Sequence, residues 1–283
     1  MMRERSKIFW TRDGFTLIEL LVVIAIIALL IAILIPSLKI AKRKAATAVC
    51  LVNTKNLSLA WYMYQSDNDG KLVNATMGST GWIGRPCDKD GTIVYGSIGS
   101  PVTDEDEIRG IEKGLLFSYT ENPKVFHCPA DNIRRAVDDK SRIFLSYAIA
   151  RCLNGLGSSS SQVKKFGRIS SPSLRYNFVE MAMERNVSDS FFMLAAPEYS
   201  SNPNYGWWSP LALNHGDSSV LGFCDGHSEP RKWREESTKL RAEKLSRQNT
   251  ASYNKIWPGD PDWPADELAD IIFMTQGWAY RHR

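Results

Sequence analysis

The sequence predicts an α+β chain: a long N-terminal α-helix, a small antiparallel β-sheet domain with extended loops, and a C-terminal helical tail. Three observations carry that expectation. Phe15 to Leu38 is an apolar run with one charge, Glu19, and helical periodicity continues past it to about Asp67. Short extended runs, among them Ser146 to Ala150, Arg175 to Glu180 and Val220 to Cys224, lie between turn signals. Beyond Arg231 the chain becomes charged at helical spacing.

The apolar run exceeds the roughly 20 residues that a bilayer-crossing helix needs. Ile, Val, Leu and Ala surround it, so it wants lipid or other apolar helices on every side. A basic leader precedes it, MMRERSKIFWTRDG, with Arg3, Arg5, Lys7 and Arg12. A secretory signal peptide places its small residues after the apolar run, whereas here Gly14 stands before it. Cutting between Gly14 and Phe15 would remove the leader and leave the helix in place, and glycine lets another backbone approach closely.

Glu19 is costly in lipid unless it finds a partner. Once freed, the amine of Phe15 is such a cation, in the same chain or a neighbouring one; at headgroup level the acid would need none. Pro36 removes one backbone hydrogen bond and is expected to kink or loosen the helix.

Gly14-Phe15-Thr16-Leu17-Ile18-Glu19-Leu20-Leu21-Val22, with Pro36 further on, resembles the prepilin signature of type IV pilins and type II secretion pseudopilins. The resemblance implies that a membrane prepilin peptidase cuts after Gly14 and N-methylates Phe15. It implies that Glu19 pairs with the amine of an adjacent subunit as filaments grow. The partners it implies are that peptidase, copies of the chain or other pseudopilins, inner-membrane lipid, and a secretion or pilus assembly machinery.

At 283 residues, one membrane helix and one globular domain is the natural division. The expected boundaries are a leader over 1–14, a transmembrane helix over 15–38, its amphipathic continuation over 39–69, a globular domain over 70–233 and a tail over 234–283. A hydrophobic content of 43% and nine Trp suffice for a core. The net charge of +4 is small and argues against nucleic acid as a partner. Lys39, Lys42, Arg43 and Lys44 follow the span as closely as basic residues precede it, so charge does not fix the orientation. The leader motif implies a single-pass inner-membrane protein with its domain in the periplasm or at the cell surface.

Ala45, Val49, Val52, Leu59 and Met63 form the expected inward stripe of the helix continuation, whose whole length from Phe15 would be on the order of 80 Å. Asn68 and Gly70 end it. Lys71 to about Asp106 reads as loop with at most one strand, Gly114 to Tyr119 as a short helix, Lys124 to Pro129 as a strand, and Gly155 to Ser161 as a flexible loop. Ser190 to Leu194 reads as another strand.

Asp225-Gly226 between two extended runs is a type I′ hairpin signal, with Val220 to Cys224 and Ser228 to Trp233 as its arms. His215, nine residues, then Asp225-Gly226 resembles the C-terminal signature of a large group of prepilin-like proteins. Gly114-Leu115-Leu116, Tyr119, Asn122, Val125-Phe126 and Cys128-Pro129 are similar to that group's middle segment, and Cys50, Asn53 and Leu57 to its helix. That resemblance implies a pseudopilin-like α+β domain and no enzyme activity. His215, Asp217, Asp225 and His227 are the right ligand types for zinc, and the carboxylates for calcium, although turn chemistry is the commoner meaning of the pattern.

Five cysteines, Cys50, Cys87, Cys128, Cys152 and Cys224, would lie in an oxidising space, and the odd count leaves at least one free. A disulfide between Cys50 and Cys128 is the favoured pairing, because it would staple helix to domain; buried free thiols are the alternative. In the tail, Arg234 to Arg247 reads as a charged helix with Glu235 and Lys239 paired. Trp257 to Pro264 reads as a rigid linker, and Ala265 to Trp278 as a last helix with Asp266 and Glu267 in its first turn.

No Gly-x-Ser-x-Gly, HExxH or phosphate-binding glycine loop supports an enzyme. Glu180 and Glu184 as a carboxylate pair stand alone, and a metal-dependent exported enzyme is the weakest reading. The preferred function is a structural subunit of a type II secretion pseudopilus or a type IV pilus-like filament. The alternative is a membrane-anchored extracytoplasmic binding module, with Trp207, Trp208, Trp257, Trp263 and Trp278 as polysaccharide-facing candidates.

Overall fold

The computed structural model describes residues 15–94, 102–131, 144–155, 162–181, 190, 191, 193, 194, 206, 207, 211–247 and 269–277. The leader, the Gly155–Ser161 loop beyond its first residue and the Trp257–Pro264 linker, each read from sequence, lie outside those residues. So do Glu184, Asp266, Glu267 and the sugar-facing candidates Trp208, Trp257, Trp263 and Trp278.

Helix α1, Leu17–Asp67, continues through Pro36. The chain divides into two compact units, Met1–Lys42 and Arg43–Arg283. In the first, large apolar side chains from Leu17 to Ile40 are exposed. It holds the one described helix stretch long and apolar enough to cross a membrane.

The second unit is α+β. Its main sheet is built from Tyr147–Ala150 (β3), Tyr176–Glu180 (β4), Ser190–Phe191 (β5), Ser218–Phe223 (β8) and Ser228–Lys232 (β9), in the order β5-β3-β4-β8-β9. β3, β4, β8 and β9 are antiparallel, while β5 joins β3 in parallel. Met193–Leu194 (β6) and Gly206–Trp207 (β7) form a separate antiparallel pair.

The inward stripe expected on α1 does not form: Val49, Val52, Leu59 and Met63 are exposed, and Ala45 with them. The buried face is Cys50, Asn53, Thr54, Leu57, Ser58, Trp61 and Gln65, which share one side at helical spacing. Small polar groups hold it there because they permit close approach. A Cβ on Gly222 of β8 would stand 2.5 Å from Ser58 Oγ and 2.7 Å from Thr54 Cγ2, so the strand meets the helix through glycine. The two hydroxyls are paired: Ser58 Oγ donates to Asn177 Oδ1 at 2.9 Å, and Thr54 Oγ1 to Cys50 O at 2.7 Å. The largest buried rings of the unit are Trp61, Trp82, Trp233, Tyr147, Tyr176, Phe126 and Phe178. Trp82 stacks on Phe126 and meets Phe178 edge-on.

Other elements depart from the sequence reading for local reasons. The region read as loop holds a parallel pair, Asn74–Met77 (β1) and Gly81–Ile83 (β2). It also holds the start of helix α2, Asp104–Glu112, opened by a capping box in which Thr103 and Asp106 exchange hydrogen bonds. After the short helix α3, Phe117–Thr120, the expected strand is a 3₁₀ turn, Pro123–Phe126. Asn122 accepts from Lys124 N there at 3.0 Å and proline occupies the first turn, both helix-start features.

The β8–β9 connection is not type I′, which requires positive φ at both central residues. In that loop, Cys224 to His227, only Gly226 (φ +94°) has it, and Gly226 N donates to Phe223 O. Helix α4, Glu236–Arg247, starts after Glu235, so Glu235 and Lys239 are not the expected surface pair within it. Lys239 Nζ lies beside Glu236 and Asp217. The Glu235 carboxylate instead accepts from Ala269 N and Asp270 N at the start of helix α5, Ala269–Gly277, while Asp270 accepts from Arg234 N and Glu235 N.

Replacing Gly222 with alanine should lower the stability of the globular unit by about 1–3 kcal/mol, since the new methyl has no space against Ser58 and Thr54. Chemical denaturation of the detergent-solubilised chain measures it, and Ser58→Gly in the same background should restore part of the loss.

Candidate functional site

Two places concentrate chemistry. The first is the start of α1. Glu19 Oε2 accepts from Thr16 N at 2.8 Å and from Thr16 Oγ1 at 2.7 Å, and Glu19 N donates to Thr16 Oγ1 at 3.3 Å. Thr16-x-x-Glu19 is therefore a capping box that satisfies donors a helix start leaves bare. Within its own chain the carboxylate already has a partner, and its negative charge sits where the helix dipole favours it. Phe15 is exposed beside it.

The second lies inside the globular unit. Cys50 comes from the buried face of α1, and Cys128 follows the 3₁₀ turn. Glu180 ends β4, and His215 lies in the turn before β8. Backbone groups place that turn: Ala212 N donates to Glu180 O at 3.2 Å, Ser219 Oγ donates to Ala212 O at 2.6 Å, and Gly216 takes φ +78°. The ligand-type atoms of Cys50, Cys128, Glu180 and His215 all lie within 4.8 Å of one another. Cys50 Sγ and Cys128 Sγ are 2.6 Å apart, His215 Nε2 is 3.5 Å from Cys128 Sγ, and it is 3.0 Å from Glu180 Oε1. Both cysteines are unbonded, and Cys50, Cys128 and Glu180 are wholly buried.

The hydrogen-bond inventory fixes the proton on His215. Thr47 Oγ1 gives its proton to Arg43 O at 2.9 Å, so toward His215 Nδ1, 3.1 Å away, it can only accept. Nδ1 therefore carries hydrogen. Nε2 faces the Glu180 carboxylate, whose other oxygen accepts from Val220 N at 2.7 Å, so a hydrogen bond there requires Nε2–H as well. Opposite an ionised Glu180, this arrangement of partners suits the imidazolium. Burial alone pulls its pKa down, but the hydrogen bonds to Cys128 and Glu180 and the charge of Glu180 outweigh this and raise it to about 10. The Cys128 thiol is pushed up by its hydrogen bond with Cys50 and by burial. The Tyr147 hydroxyl is pushed up by burial and by the charge of Glu180.

The four residues offered from sequence as metal ligands do not converge. Asp217 lies 3.7 Å from Lys239 Nζ. Asp225 and His227 bond each other on the exposed turn, where His227 stacks on Phe223. Only His215 joins the buried group. Of that group, Cys50 and Cys128 are legible in sequence as a pair. Glu180 is legible there as a strand end and as a partner for Glu184, not as a member of this group, although a carboxylate closing a fully buried strand is itself a signal. Nothing in the sequence marks Thr47.

Residues 11–35 match the family model described as the prokaryotic N-terminal methylation motif. A stretch of 61 residues is 48% identical to the "Type IV wide pilus major component PilA4" of Thermus thermophilus. That match takes in 22% of this chain and 47% of the relative, so the chain spans about half the length of the curated relative it matches. No solved structure matches. The chain is type IV prepilin-like in its N-terminal segment.

A histidine pKa raised on folding adds stability that is complete below the unfolded value of about 6.5 and lost as pH rises through about 10. The unfolding free energy of the solubilised chain should fall across that window, with a limiting slope of about 1.4 kcal/mol per pH unit, and its thermal midpoint should fall with it. His215→Asn should flatten the profile between pH 6.5 and 8.5. The Tyr147 hydroxyl, pushed up as well, contributes only at the alkaline end.

Proposed function

We propose that the chain is a structural, pilin-like subunit of a type II secretion pseudopilus or a type IV pilus-like filament. The observation that carries this reading is the methylation motif at residues 11–35, which from Leu17 onward lies on a helix whose apolar side chains as far as Ile40 are exposed. The relative from Thermus thermophilus, named a major component of a type IV wide pilus, supports it. In this reading a prepilin peptidase cuts after Gly14 and methylates Phe15. Inner-membrane lipid then holds the apolar helix until subunits assemble, with the globular domain in the periplasm or at the cell surface.

Glu19 has two partners in sequence. Before assembly, Thr16 satisfies it and caps the helix. During assembly the Phe15 amine of a neighbouring copy neutralises it, and an apolar surround strengthens that attraction well beyond its worth in water. The copies then pack through the exposed apolar side chains of α1 from Leu17 to Ile40.

Co-expression with a prepilin peptidase should yield a mature chain that starts at Phe15 and carries one added methyl group, read by intact-protein mass spectrometry. Glu19→Ala should be processed normally yet reduce filament yield at least tenfold, equivalent to about 1.4 kcal/mol. Undiminished assembly would reject the pairing. Processing without filaments in the wild type, under conditions that sustain a control pilin, would favour a membrane-anchored binding module.

A further inference from the structure

We propose that Cys50 and Cys128 are joined by a disulfide in the mature protein. The bond ties α1 to the segment after the 3₁₀ turn, and the buried His215–Glu180 pair, which Thr47 connects to α1, ties it to the end of β4. The inference rests on the reading that the globular domain lies outside the cytoplasm, where disulfides persist.

The two sulfurs approach to 2.6 Å, nearer than thiols that merely share a pocket need to come. An S–S bond of about 2.05 Å lies a short adjustment away. A zinc ion is the competing occupant of these four residues, and two observations count against it. Two thiolates on one tetrahedral zinc, each at about 2.3 Å, stand roughly 3.7 Å apart, so the pair would have to open by about an ångström. Charge is the second. Two thiolates and Glu180 carry three negative charges, and a divalent ion with a neutral histidine would leave one negative charge uncompensated among wholly buried groups. With the disulfide, the pocket holds one imidazolium and one carboxylate and is neutral. Each polar atom of that pair then keeps its partner: Nδ1 on Thr47, Nε2 on Glu180, and the second carboxylate oxygen on Val220 N.

Both sulfurs are fully buried, so oxidation belongs to the folding phase, before the sheet closes over them. The oxidant is a protein or small-molecule disulfide. One cysteine, as thiolate, attacks a donor sulfur and expels a donor thiol. The other then attacks the mixed disulfide and expels the second donor thiol. Two cysteine thiols lose two protons and two electrons, and the donor disulfide becomes two thiols. The closed loop spans 78 residue steps, long enough for a large entropic effect on the unfolded chain.

The test uses the full chain, with cells lysed in an alkylating reagent and the protein digested without reductant for peptide mapping. Protease accessibility in spheroplasts fixes the side on which the domain lies. The expected result is a domain on the outer side and a Cys50–Cys128 cross-linked peptide as the dominant form. Cys50→Ala and Cys128→Ala should each lower the thermal midpoint by on the order of 10 °C, and the double variant by no more than either alone. If those variants fail to accumulate, the wild-type peptide map decides. An outer domain with both cysteines alkylated, or with one zinc per chain by elemental analysis, overturns the disulfide and leaves the filament reading standing. A cytoplasmic domain overturns the export reading itself, and the disulfide falls with it.

Discussion

The close approach of helix α1 to strand β8 is the constraint on which the globular unit depends. Gly222 offers no side chain, Thr54 and Ser58 offer short ones, and the gap between helix and strand closes to what a glycine allows. At that distance large residues cannot separate the two elements, and the big rings, Trp61, Trp82 and Phe178 among them, fill the core elsewhere. The helix thereby buries Asn53, Thr54, Ser58 and Gln65 beside Cys50, Leu57, Ala60 and Trp61, and leaves Val49, Val52, Leu59 and Met63 exposed. The buried hydroxyls of Thr54 and Ser58 are hydrogen-bonded, as burial demands.

The same approach gathers the buried cluster. Cys50 and Thr47 arrive on α1, Glu180 on β4, and His215 on a turn that backbone bonds hold against the end of β4. Buried alone, each charged member would destabilise the fold. Glu180 with His215 is tolerable because the two charges cancel and the remaining hydrogen-bonding atoms find Thr47 and Val220. The motif histidine is thus an internal cation, set apart from the Asp225-Gly226 turn that accompanies it in sequence. Asp225 and Gly226 shape an exposed turn, where Asp225 bonds His227 and Gly226 supplies the positive φ.

The start of α1 follows a different logic. Its chemistry is local, contained within four consecutive residues, so Thr16 and Glu19 can cap the helix whatever the rest of the chain does. A carboxylate satisfied in this way can stand at the head of an apolar helix without a second chain and still be available to one.

Patterns a few residues long made the membrane-type helix, the N-terminal methylation motif, strands β3, β4 and β8 and the α+β class legible, because period, turn chemistry and residue type act locally. Helix α2 was equally local, signalled by Thr103 and the acidic run after it, yet the glycines and serines before it read as loop. The 3₁₀ turn at Pro123 reads as a strand because its apolar pair, Val125-Phe126, is buried in either form. Periodicity alone points apolar residues of α1 inward, whereas space, set by Gly222, brings Thr54 and Ser58 there. The sequence by itself thus determined what contiguous residues can write, and the choice of inward face on α1 fell to the tertiary structure. So did the meeting of Cys50, Cys128, Glu180 and His215. The first and last of these are 165 positions apart, and no local pattern carries the distance between a helix and a strand.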